Sequence, residues 1–262
     1  MQPCTEEVRS ALEQWLRSAA DADDPAHAGR RQLIAAALAY LPALDAMALP
    51  DATRALTCAD LKYLADPAAP AAQFTPGSVR YHEWEKLASG RRFSAGFFHW
   101  EESGIPASWL LKVPHADLAA LLMMLLRMGG RRPMIVPHLN PRRGAGHMTE
   151  ADVEASYRMM AEALMLQPRL RGIVGSSWLR SPDTHRVSPH LACVNRVIVE
   201  NGGLETTMGP APADCGVLSR SARRRELFDK GEFSPTLGLT VWPRDAAIAW
   251  ARRVAAPQPA VA

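Results

Sequence analysis

The sequence is short of lysine, has no paired cysteines and carries no long apolar run. Of 30 basic residues in the 262-residue chain, only Lys62, Lys86, Lys112 and Lys230 are lysine. The other cations are arginines scattered among many alanines. With a net charge of only +3, that spread excludes the basic stripe of a nucleic-acid-binding protein. Cys4, Cys58, Cys193 and Cys215 lie far apart with no C-x-x-C pair, so neither a structural zinc site nor a disulfide framework is indicated, and free thiols in a reducing compartment are expected. The most apolar run, LAALLMMLLRM, has about half the length that spans a bilayer and is expected to be a buried helix. The opening MQPCTEEVRSALEQWL lacks the basic and apolar regions of a secretory signal, and a cytoplasmic protein with no membrane span is expected. G-x-S-x-G, H-E-x-x-H and a Walker loop are missing as well, which leaves serine hydrolase, zincin and P-loop ATPase unsupported.

What is present is a chain with 48% apolar and 22% charged residues, able to bury a core and long enough for roughly one to two domains. Val8, Leu12, Trp15 and Leu16 recur at helical spacing, as do Leu33, Ile34, Ala37, Leu38 and Leu41, and then Leu56, Ala59, Tyr63 and Leu64. Residues 1–66 therefore read as a helical N-terminal segment, and the Pro/Ala-rich stretch 67–77 as a linker. From 78 to 255, short β-like segments alternate with helical ones, which predicts an α/β layered domain with a mixed central sheet flanked by helices. Its expected strands include PMIVPHL (133–139), RGIVGSSWL (171–179) and TLGLTVWP, with Gly175 marking a bulge or a close backbone approach. VNRVIVENGGLETTMG reads as a hairpin turning at Asn201-Gly202. A helix over 149–167 opens on an acidic capping box, Thr149 and Asp152, and carries Val153, Tyr157, Met160, Ala161 and Leu164 on one face. Ser219 or Ser221 is expected to cap a helix ending at Gly231, and Arg223 to Arg225 to form its solvated face. The tail 256–262 is expected to be disordered.

Between the strand at 133–139 and the helix at 149–167 runs a basic turn, Pro141-Arg142-Arg143-Gly144-Ala145-Gly146. Free amides at a helix N-terminus and two guanidiniums suit a phosphate, although an ordinary solvated connection has the same order. Strand, G-A-G turn, helix and strand in this succession resemble the cofactor-binding core of the GNAT-type N-acyltransferases. In that family the arm of acyl-CoA lies between two splayed parallel strands, with its phosphates on a Q/R-x-x-G-x-G/A loop. Here both glycine positions agree and the leading position is Pro141. The resemblance implies acyl-CoA or an acyl-carrier protein as co-substrate, with no tightly bound cofactor, and a small amine as acceptor. Arg142, Arg143, Gly144, Ala145, Gly146 and Trp178 would bind the donor. His138 would be the general base, since imidazole titrates near neutrality, and Ser177 and His190 complete the candidate catalytic set. Ser176 and Ser177 would hydrogen-bond the thioester or amide, and His185 and His190 would line the substrate side. The N-terminal helices would cover the acceptor pocket or form a homodimer. The stretches GIVGSSWL, SPHL and SARRRELFDKGEFSPTLGLTVWPRDAAIAWA are also similar to a group of bacterial proteins of no established activity.

Two other classes fit some of the residues. His99-Trp100-Glu101 has the H-x-E spacing of a facial triad, and His185 followed by Arg196 matches the remaining pattern of 2-oxoglutarate iron oxygenases, although that chemistry needs more strands than are predicted. A non-catalytic protein binding a small acidic ligand or an acyl chain is the third, with seven tryptophans available to wall a pocket.

Overall fold

The computed structural model describes residues 4–18, 24–140, 142, 148–212 and 215–255. Its architecture is mixed α/β. Eleven helices and six strands occur among the described residues, divided between two units. The first unit takes the described residues up to Glu101 together with Leu139, Asn140 and Arg142; the second takes the rest.

The first unit starts as its periodicity predicts. Helix α1 (Cys4–Ser18) buries Val8 and Leu12, and α2 (Pro25–Ala46) buries Leu33, Ile34, Ala37 and Leu41. The start of α2 is set by Asp24, whose side chain accepts from the Ala26 amide, with Pro25 preset for the first helical position. Helix α3 (Asp51–Lys62) differs from expectation. Leu56 is half-buried and Ala59 exposed, because the inward face carries Thr53, Thr57, Asp60 and Leu61 instead. The segment expected as a linker belongs to this unit's core: it contains a short 3-10 turn, Ala71–Phe74, and Phe74 is fully buried with its ring 6.2 Å from that of Trp84. Helix α4 (Val79–Ala88) is capped by Ser78. Strands β1 (Arg92–Ala95) and β2 (Phe98–Ser103) then pair antiparallel, turning at Gly96, whose φ of 64° suits a residue without Cβ. All four cysteines are free, and the Cys4 and Cys58 thiols meet 2.7 Å apart across α1 and α3.

In the second unit come α5 (Ala107–Leu110), α6 (His115–Arg127), β3 (Met134–Leu139), α7 (Glu150–Leu166), β4 (Gly172–Ser177), α8 (Pro182–Val187), α9 (Cys193–Glu200), β5 (Leu204–Pro210), α10 (Ala222–Asp229), β6 (Thr236–Pro243) and α11 (Arg244–Ala255). The strands lie in the order β3-β4-β6-β5, with β3 parallel to β4 and the other pairs antiparallel. Alternation along the strands sorts the core. Met134, Val136, Val174, Leu239 and Val241 join Leu121 and Leu125 of α6 in one cluster. Trp242 points to the other face, where it meets Tyr157 of α7 edge-on at 5.8 Å and Trp250 of α11 at 5.2 Å.

Helix α7 has the predicted capping box in both directions, and the five residues predicted for its inward face are fully buried. Three expectations are corrected. The segment at 193–200 is helix α9 rather than a hairpin strand: its β-branched residues suggested a strand, yet Val194, Val197 and Ile198 fall on one helical face and are buried there. Asn201 and Gly202 end this helix, with Gly202 at a φ of 84°. Helix α6 buries only Leu121 and Leu125, and Leu122, Met123 and Leu126 are exposed. On α10, capped by Ser221, Arg224 is buried rather than solvated. Pro141, Arg143 to His147, and the tail from 256 lie outside the described residues. No helix among the described residues is long and apolar enough to cross a membrane.

Removing the cap hydroxyl in Thr149→Ala is expected to lower stability by about 1 kcal/mol, seen as a reduced urea midpoint with an unchanged slope.

Candidate active site

Two polar arrangements stand out, one in each unit. In the second unit the decisive element is β4. Its whole length, Gly172 to Ser177, is laddered to β6, whereas Ile135↔Ile173 is its one register pair with β3. Both residues are second in their strands, so the register pair lies at the beginnings of the two parallel strands, and among the described residues none links Pro137–His138 to Gly175–Ser177. Beyond Ile173, no register pair joins β4 to β3 among the described residues.

Alternation divides the predicted residues around these strand ends. His138 falls on the side of Met134 and Val136, and Ser176 on the same side as Val174. His138 and Ser176 are both half-buried, and His138 Nε2 is shielded from solvent. Ser177 faces the other way, toward the α7 side, opposite Gly238 of β6. Trp178 is buried beneath Arg224, whose guanidinium carbon lies 4.9 Å from the indole centroid. His190 is exposed in a 3-10 turn after α8, and the Ser188 hydroxyl before it accepts from Arg224 Nη1 and makes no helix-cap bond. His185 bonds the Leu179 carbonyl at 2.8 Å through Nε2. His138 and Ser176 thus share a face, and Ser177 lies on the opposite one.

Two buried arginines behind β4 were not anticipated as partners of these residues. Arg180 donates to Thr240 Oγ1 at 2.7 Å and to Tyr157 Oη at 3.0 Å. Burial pushes the Tyr157 phenol up, opposed by the charge and hydrogen bond of Arg180. Arg180 also explains Gly175, because a Cβ there would stand 2.1 Å from Arg180 Nε. Arg224 donates to the Val217 carbonyl and Ser188 Oγ, and burial, reinforced by the charge of Arg220, lowers its pKa. Glycine in a strand signalled the close approach at 175; a run of three arginines did not distinguish the buried one.

The N-terminus of α7 already has its own anions. Glu150 and Asp152 occupy its first turn, Asp152 closes the capping box, and Glu150 pairs with Arg196. Recognition of a phosphate at this end would therefore fall to loop side chains.

In the first unit, the organising group is the buried carboxylate of Asp60. Its Oδ2 accepts from Ser94 Oγ at 2.6 Å, His99 Nε2 at 3.0 Å and Asn140 Nδ2 at 3.3 Å, and its Oδ1 accepts from Arg142 Nη1 at 2.6 Å. A carboxylate only accepts, so His99 carries a proton on Nε2; its Nδ1 is buried with no partner among the described residues. Burial alone would raise the Asp60 pKa. The hydrogen bond and charge of His99, the Ser94 hydroxyl and the Arg142 charge outweigh it and hold the group below the ordinary carboxylate range. Arg142, predicted as a phosphate ligand, is thus committed to Asp60, with its guanidinium also 4.3 Å above the Tyr63 ring and its amide on Asn140 Oδ1. Arg143, Gly144, Ala145 and Gly146 lie outside the described residues.

The residues of the metal reading are also engaged. His99 is on Asp60, and Glu101 pairs with Lys86 and Arg92. Among the described residues, no group of three His, Cys, Asp or Glu side chains is placed to hold a metal ion. Compared with known proteins, the chain matches no family model, and no curated protein or solved structure matches it significantly.

Because the Asp60 pKa is depressed on folding, its contribution to stability is present above the unfolded-state value near 4 and is lost as pH falls through the lower folded-state value. Asp60→Asn is expected to flatten the acid limb of the stability-against-pH curve. Asp60→Ala is expected to cost about 3 kcal/mol at neutral pH, measured by urea unfolding, because Arg142 and His99 lose their anion.

Proposed function

We propose that this protein is an N-acyltransferase-like enzyme that moves an acyl group from acyl-CoA or an acyl-carrier protein to a small amine. The observation that carries the reading is the parallel pair β3/β4, in register at Ile135↔Ile173 near their beginnings and with no further register pair among the described residues. An extended pantetheine arm has amide groups spaced along a chain, and an unpaired strand edge supplies the donors and acceptors that such a chain needs. Further support comes from the succession of β3, the capped helix α7 and β4, the strand, helix and strand order on which the resemblance rests.

In this reading the thioester carbonyl lies between the ends of β3 and β4. His138, directly or through one water, takes a proton from the acceptor ammonium. The amine nitrogen attacks the carbonyl carbon, and amides of β4 stabilise the developing oxyanion. Collapse of the tetrahedral intermediate breaks the carbon–sulfur bond, and the thiolate leaves to be protonated as the free thiol. Ser176, on the His138 side, is the hydroxyl placed to hold the acceptor or the thioester. Ser177 and His190 have no step here, since one faces the α7 side and the other is exposed beyond α8.

An acyl-CoA at about 100 times its dissociation constant should stabilise the folded protein by about 2.7 kcal/mol, seen as a higher melting temperature. Thiol release from acyl-CoA in the presence of a panel of amines should fall about a hundredfold in His138→Ala, with the ligand-induced stabilisation retained. If neither acyl-CoA nor an acylated carrier protein stabilises the chain or loses its thioester, the reading is wrong.

A further inference from the structure

A cavity lies in the same unit at the other end of β4. It encloses about 800 Å³, within the range of small-molecule sites. Leu170 and Arg171, which line it, immediately precede the first residue of β4, whereas the proposed acyl-transfer site lies toward Ser177. At roughly 3.3 Å per residue the two ends of this strand are about 16 Å apart, so the cavity does not belong to the site above.

Its lining has two characters. Met124 of α6 and Met128 just after it, with Leu170 and Leu204, supply apolar surface, and thioether side chains adapt to ligands of variable shape. The same lining includes four arginines, Arg127, Arg169, Arg171 and Arg244, and one carboxylate, Asp245, while Arg169 pairs with Glu102. Asp245 sits in the first turn of α11, where its charge complements the helix. Arg244 is held by the Leu164 and Gln167 carbonyls. Arg171 donates through Nη1 to the Met128 carbonyl at 2.9 Å, while its Nε is shielded from water and makes no hydrogen bond among the described residues. Arg127 is exposed and has no carboxylate partner among them. The cavity therefore combines apolar surface with guanidiniums, those of Arg127 and Arg171, that have no carboxylate partner among the described residues.

From this combination we infer that the cavity binds an aliphatic carboxylate, with the chain against Met124 and Met128 and the head group on Arg127 and Arg171. A carboxylate matches a guanidinium fork in geometry as well as charge, which an alcohol of the same chain length does not. The proposal stands apart from the acyl-transfer reading, and its test involves no thioester.

Isothermal titration of the full chain with dodecanoate, kept below its micelle-forming concentration, should show saturable binding at least about tenfold tighter than that of dodecanol, with acetate giving no heat. Met124→Trp, which fills the apolar part of the cavity, should abolish the binding. Arg127→Glu, a surface change, should weaken it about tenfold or more while costing the unliganded fold at most about 1 kcal/mol, and it serves as the independent check if the tryptophan variant fails to fold. Equal affinity for dodecanoate and dodecanol, unaltered binding in Arg127→Glu, or no dodecanoate binding at about millimolar concentration would overturn the assignment.

Discussion

The arrangement of the second unit depends on how β4 satisfies its two edges. One edge is matched residue for residue by β6, which fixes the strand's position and decides which side chains reach each face. The other is matched to β3 once among the described residues. A backbone that gives up inter-strand hydrogen bonds must find other partners or water, so sparse pairing has an energetic cost that regular pairing would remove. The surrounding packing offsets it: Trp242 and Tyr157 fix one face, and the cluster around Leu121 and Leu239 fixes the other. Gly175 lies beyond that one pair, where only a residue without Cβ leaves room for Arg180.

The first unit solves a different problem. A buried carboxylate is costly unless donors surround it, and Asp60 collects donors from β1, β2 and the two residues Asn140 and Arg142 that follow β3 in the chain. The cluster thereby ties residues about 80 positions apart in sequence to a single side chain. Two of the groups that seemed free to act on a ligand, His99 and Arg142, are used for this purpose. A charged residue next to a glycine-rich turn is therefore not evidence of an anion site until its partner is known.

Much of the fold was legible wherever apolar periodicity and local chemistry agreed. Helix α7 shows this best, since the capping box and the inward face are both written in nearest-neighbour spacing. Strand β3 was recognisable as a short apolar run bounded by proline, and β6 was expected as a strand at TLGLTVWP. The failures share a cause. On α3 the inward face is polar, with Thr53, Thr57 and Asp60 at helical spacing, and a search for apolar residues selects the wrong side. In α9 the β-branched content spoke for a strand, and packing against the sheet overrode it. For the candidate site, His138 and Ser176 could be placed on adjacent strands from sequence, but their shared face and the opposite direction of Ser177 depend on strand register. The buried roles of Arg180 and Arg224 depend on tertiary neighbours that no local pattern encodes.

The outer strand of the second unit has a further consequence. β5 pairs with β6 along one edge, and its register shifts between Thr207 and Pro210, where Gly209 adopts a φ of 86°. Pro210 then contributes no amide hydrogen. An uninterrupted outer strand is a template on which another chain can add itself, and bulges and prolines are the usual means of spoiling it. The irregular end of β5 therefore limits the length of ladder that a stray strand can copy, giving this sheet margin protection against edge-to-edge aggregation.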